Sequence, residues 1–196
     1  MNWKAVLFIA ILAYGAFHTW QKRVVSYPPG VIAAAEPIQN NPDTTTVFSK
    51  NSYQIVPLAN FAVEARVLAA EHYRFAKFSD LIPVDLALGW GRMSDESILK
   101  DIKISQSDRF YFWHVDHFII PREEIETHSA NMHMIPSSDA IEKTLNNVRV
   151  GQVVKITGYL VEATSMEGVH WRSSLTRNDT GAGACETIFV KSVSVR

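Results

Sequence analysis

The chain opens on a stretch that is apolar on every side. After Met1 to Lys4 come Ala5 to Phe17 (AVLFIAILAYGAF), then His18, Thr19 and Trp20, then Gln21, Lys22 and Arg23. A short basic start, an apolar run and a basic close have the layout of an export signal or a signal anchor. An amphipathic surface helix would keep a polar stripe, and this run has none. Small residues suited to cleavage lie inside the run (Ala13-Tyr14-Gly15) or well beyond it, past Pro28 and Pro29 (Ala33 to Ala35). An uncleaved transmembrane helix over residues 1–23 is therefore expected. As a helix, Ala5 to Trp20 covers about 24 Å, against a hydrocarbon core of about 30 Å. Trp3 and Trp20 at the two interfaces, with Lys4, Lys22 and Arg23 reaching outward, make up the difference. The short N-terminal tail is the cheaper end to leave in the cytoplasm. The expected placement is a single pass through an inner membrane, with the rest of the chain on the periplasmic, extracytoplasmic side.

Prolines 28, 29, 37 and 42 and the polar residues between them predict an extended stalk over residues 24–55, with Val31 to Ala35 able to dock on the domain as an arm. Residues 56–196 then form one globular domain. Alternation of Phe61, Val63, Ala65 and Val67 with Glu64 and Arg66 predicts a strand within Tyr53–Phe78. Ser79 to Gly91 reads as a helical turn ended by glycine, and Ser94 to Lys100 as a helix capped by Ser94. Ile102–Ser105 and Arg109–Val115 read as short strands. Pro121 starts a helical turn to Thr127, and Ser138 or Asp139 caps a helix to about Asn147, with Ile141, Leu145 and Val148 on one face.

The last part of the chain carries the clearest pattern. Val150–Ala163 is a predicted strand with Gly158 at a bulge or bend. Val169–Leu175 and Thr187–Val195 are two more, joined by a polar, glycine-bearing loop from Thr176 to Ala184. The fold class expected is α+β and β-rich, with a small antiparallel barrel-like (OB-like) C-terminal part, short helices and the N-terminal transmembrane helix in front.

Composition narrows the functions. The formal charge is −1, with 19 basic and 20 acidic side chains and no basic run, so nucleic acid is not an expected partner. Cys185 is the one cysteine, which rules out a disulfide within one chain and a multi-cysteine zinc site.

Three groups of residues carry candidate chemistry. His114, Asp116 and His133 are a candidate ligand set for a transition metal, since imidazole and carboxylate suit zinc, iron or manganese; no other cofactor is expected. Met132-His133-Met134 also has the soft donors of copper ligation. Cys185 is a candidate catalytic nucleophile, with His170 as base on a neighbouring strand and His133 as another imidazole that could approach it. Finally, Arg172, Ser174, Arg177, Asn178, Asp179 and Glu186 form a candidate ligand-binding set, because two guanidinium groups can hold a carboxylate or phosphate by paired hydrogen bonds. Asp179-Thr180-Gly181-Ala182 spells an aspartic-protease motif. It lacks the apolar lead-in strand and the following domain, and reads as a turn. The function expected is a membrane-anchored extracytoplasmic binding or accessory module of unknown ligand, or a subunit of a membrane complex, partnered by the membrane and by another membrane or periplasmic protein. The alternative is a metal-dependent or thiol hydrolase.

Overall fold

The computed structural model describes residues 2–21, 23–176 and 184–196. In chain order the elements are α1 (Trp3–Gln21), β1 (Ile38–Asn40), β2 (Phe48–Lys50), β3 (Tyr53–His72), β4 (Val84–Gly89), a 3-10 turn (Gly91–Ser94), α2 (Glu96–Leu99), β5 (Lys103–Ser107) and β6 (Phe110–His114). After β6 come α3 (Arg122–Thr127), β7 (Ser129–Pro136), α4 (Asp139–Leu145), β8 (Val153–Ser165), β9 (His170–Arg172) and β10 (Glu186–Val195). The protein is α+β and strand-rich.

Strand pairing explains the architecture. β3 pairs with β4, β4 with β7, β7 with β10, β10 with β8, and β8 again with β3, so the sheet is partly ring-like without being a closed barrel. Every pair in this circuit is antiparallel except β7 with β10, which is parallel. The inner face holds the main core: Phe61, Val63, Ala65 and Val67 of β3, Leu86 and Leu88 of β4, Met132 and Met134 of β7, and Ile156 and Leu160 of β8. Leu145 of α4 and Val148 after it close one end. Ser138 caps α4, its hydroxyl accepting from the Ile141 amide at 3.4 Å.

Gly158 has a specific reason. A Cβ there would collide with the Phe189 carbonyl oxygen. The register shift lies opposite it on β10, between Val190 and Ser192. The expected irregularity is present, with the extra residue carried by the partner strand.

Several expectations change. Ser79–Gly91 is not a helical turn: its second half is β4, buried at all six positions. A strand covered on both faces loses the alternation that would announce it. The cap of α2 is Asp95, whose carboxylate accepts from the Ser97 amide at 2.8 Å, not Ser94. Ser94 is buried and holds the arm instead, accepting from the amides of Ile32 at 3.2 Å and Ala33 at 3.1 Å. Residues 24–55, expected as a stalk, run along the domain. The Val25 amide donates to the Val150 carbonyl at 2.9 Å, the Trp90 indole donates to Glu36 at 2.8 Å, and β1 and β2 both pair with β3.

Residues Val6, Leu7, Phe8, Ile9, Ile11 and Leu12 of α1 are all exposed, and their spacing carries them around the whole helix. Among the described residues, no helix is long and apolar enough to cross a membrane.

Candidate functional site

β4, β7 and β10 lie side by side, and their outward faces form a polar patch beneath surrounding loops. Register sets its members. Asp85 of β4 is the antiparallel partner of His133 of β7, and Thr187 of β10 is its parallel partner on the other side. Side chains alternate along a strand, so Met132 and Met134 enter the core while Asn131 and His133 face the patch. The two methionines and His133 therefore do not share a face, which removes the copper reading of Met132-His133-Met134.

His133 is 4% exposed and Asp85 is fully buried. The His133 Nδ1 atom lies 2.9 Å from Asp85 Oδ1, and Cys185 is near enough to favour the protonated imidazole. Burial opposes a charged imidazolium here, but the hydrogen bonds and negative charges of Asp85 and Cys185 outweigh it and raise His133 to about 9. The Asn131 amide donates to the Arg109 carbonyl at 2.9 Å and points its nitrogen at Cys185 Sγ, 3.8 Å away. Gln106 fixes that amide from behind, at 2.6 Å.

Asp85 has a second cation. Arg109 sits in the two-residue turn that joins β5 to β6, with φ of 51° at Asp108 and 70° at Arg109. Two positive φ values are the hairpin geometry that matches strand twist, usually made with glycine or asparagine. Accepting it at an arginine carries some backbone cost. The turn aims the guanidinium at Asp85 Oδ1 (3.2 Å) and the Ile82 carbonyl (3.0 Å), with Tyr73 stacked 3.6 Å away. Burial and the Asp85 charge keep the Tyr73 hydroxyl protonated well above its ordinary range. Trp171 of β9 covers His133 edge-on, with centroids 4.9 Å apart.

Beside this patch opens a cleft of about 560 Å³. β6 supplies an aromatic wall from Phe110 to Trp113, Phe118 extends it, and Arg122 and Glu126 of α3 stand at the rim. Asn131, Cys185 and Glu186 bring polar atoms to its lining. Tyr111 reaches Ser129 at 3.0 Å, and burial pushes its hydroxyl up to about 12 against that hydrogen bond. Phe110 and Phe112 remain 41% and 52% exposed, so the wall faces solvent.

The candidate residues from the sequence separate accordingly. Cys185 lies at the cleft, but its imidazole is His133; His170 is taken by Glu162 across the β8–β9 pair, as is Arg172 at 2.6 Å. The Arg172 charge is thus already matched, which weakens it as an anion clamp. Ser174 is buried, its hydroxyl closing a turn on Thr176. Glu186 is buried and lines the cleft beside Cys185; β10 begins at Glu186, so alternation does not send the two apart. Arg177, Asn178 and Asp179 lie outside the described residues. His114 and Asp116 pair with each other at 3.3 Å in solvent, while His133 is buried with Asp85 and Cys185. Among the described residues, no three histidine, cysteine or acidic side chains converge as a metal-holding group. Sequence reasoning missed Asp85, Arg109 and Asn131; the Asp108-Arg109 turn between two strand patterns was the one local signal. No family model, curated protein or solved structure matches the chain.

Proposed function

We propose that this protein is a membrane-tethered binding module whose ligand sits in the cleft between β6, α3 and the start of β10. The cleft carries the reading. Its volume falls in the range of small-molecule sites, and an aromatic wall with a few fixed polar groups is the lining such sites use. The ligand class that fits is a compound with an aromatic or alkyl body and one carbonyl or amide group to meet Asn131. The strand order, the parallel β7–β10 pair and α4 between β7 and β8 support an OB-like reading of the sheet. That likeness carries no ligand by itself.

α1 supplies the tether. Its apolar residues are exposed around the helix, which is costly in water and favourable in lipid. Its length is short for a full span, so flanking Trp3 and Lys4 reach to the interface. The domain is read on the extracytoplasmic face of an inner membrane, where a membrane or periplasmic protein would deliver or take the ligand.

The test uses the full chain in nanodiscs and saturation-transfer NMR with N-acetylphenylalanine amide and hexanamide. Saturation of the aryl or alkyl protons is expected, and its loss in the Phe110→Ala/Phe112→Ala double variant. Both side chains are partly exposed, so the variant keeps its fold. Equal saturation in the two proteins would place the ligand elsewhere.

A further inference from the structure

We propose that Cys185 is a nucleophile toward an acyl carbon of the cleft's ligand, with His133 as its proton partner and Asp85 as the residue that positions the imidazole. This rests on the cleft being the ligand site, and it adds a reaction to that reading. The substrate class is an ester or thioester of an aromatic or alkyl acyl group.

The arrangement has the three parts a thiol nucleophile needs. The sulfur lines the cleft, where a ligand can meet it. The buried His133 imidazole is its neighbour across the β7–β10 pair, where His133 is the register partner of Thr187, two residues after Cys185. A carboxylate on the adjacent strand engages the Nδ1 side of that imidazole at 2.9 Å, which leaves Nε2 for the sulfur. One N–H of the Asn131 amide is held by the Arg109 carbonyl; the other points at Sγ from 3.8 Å, a weak contact it exchanges for the carbonyl oxygen of a bound acyl group. A thiol that merely fills space needs none of this. Burying Asp85, His133 and part of Arg109 together is expensive, and a well-packed apolar trio would serve stability as well. Perturbed titratable groups beside a cleft point to chemistry.

The step balances without any outside oxidant or reductant. In the neutral form of His133, which grows in as the pH rises toward about 9, the Sγ proton passes to Nε2, the Sγ–C bond forms, and the bond from that carbon to the leaving oxygen or sulfur breaks. His133 returns the proton to the leaving group. Water then adds to the acyl-cysteine, its proton moving through His133 back to Sγ as the carboxylic acid departs.

The experiment follows acylation of the full chain in detergent micelles by S-phenyl hexanethioate, read by intact mass. The folded chain is expected to take up one hexanoyl group, on Cys185, at least about a hundredfold faster than the same chain in urea. Cys185→Ala takes up none. His133→Gln falls to the rate in urea. Asp85→Asn slows acylation and moves its pH midpoint down, as the imidazolium loses a carboxylate while keeping Arg109 and Tyr73 nearby; a merely structural role would leave that midpoint in place. If neither variant folds, the folded-to-unfolded ratio of the wild type still decides: a ratio at or below one overturns the proposal. Fast acylation that is indifferent to Phe110→Ala/Phe112→Ala upholds the nucleophile and refutes the cleft as ligand site. Ligand saturation in NMR without any adduct overturns the nucleophile alone.

Discussion

The ionisation of His133 has a measurable consequence for stability. Its folded pKa of about 9 stands above the ordinary 6.5 because Asp85 and Cys185 hold the proton against burial. A raised base stabilises the fold when protonated. The contribution is complete below about pH 6.5 and is lost as the pH climbs through about 9. A rise of this size corresponds to about 3 kcal/mol, a large share of the roughly 5–15 kcal/mol typical of a whole domain. The assay is urea unfolding followed by circular dichroism at about pH 6 and about pH 10, for the wild type and for His133→Gln. Tyr73 and Tyr111 are common to both proteins, so their share cancels in the difference. The wild type should lose about 3 kcal/mol more than the variant between the two pH values, a midpoint difference of about 1–2 M urea. Parallel losses would overturn this. They would mean that His133 is neutral throughout and that its contact with Asp85 is an ordinary hydrogen bond between uncharged groups.

Other substitutions probe the frame around the site. Gly158→Ala places a Cβ against the Phe189 carbonyl and must spread β8 from β10, costing about 2–3 kcal/mol in urea unfolding. Leu88→Ala empties a fully buried position on β4 and should cost about 3 kcal/mol by the same measurement. Ser94→Ala leaves the Ile32 and Ala33 amides without their acceptor, worth about 1–2 kcal/mol, and should speed limited proteolysis within residues 28–36 while leaving cleavage elsewhere unchanged. For α1, Ile9→Lys/Leu12→Lys in the full chain should abolish co-flotation with liposomes; flotation equal to that of the wild type would contradict the tether.

Much of the frame was legible along the chain because one-sided burial leaves a mark. β3 alternates, and α4 carries Ile141 and Leu145 on one face beneath a serine cap, with Val148 just beyond it. β4 and β7 left no such mark. Both are buried on each face: β4 reads as a short, mostly apolar run that suits a helix equally well, and β7 mixes Ser129, Asn131 and His133 among its apolar residues, so neither announces a strand. That ambiguity hid the site. Asp85 and His133 meet only because β4 and β7 pair in one antiparallel register, and no local motif announces a contact across that distance in sequence. His170 looked the better base for Cys185 because β9 lies close by; Glu162, its cross-strand neighbour, takes it instead. Ser94 resembled a cap because serine does so often, yet the next residue, an aspartate, holds that place and frees the hydroxyl to pin the arm.

The most direct measurement is the rate at which Cys185 is alkylated by N-phenyl iodoacetamide relative to iodoacetamide, in the folded full chain. A cleft that seats an aromatic body beside this sulfur predicts a preference of about tenfold or more for the phenyl reagent, lost in Phe110→Ala/Phe112→Ala and lost in urea. Equal rates for both reagents, unchanged by the double variant, would contradict a ligand cleft at this sulfur.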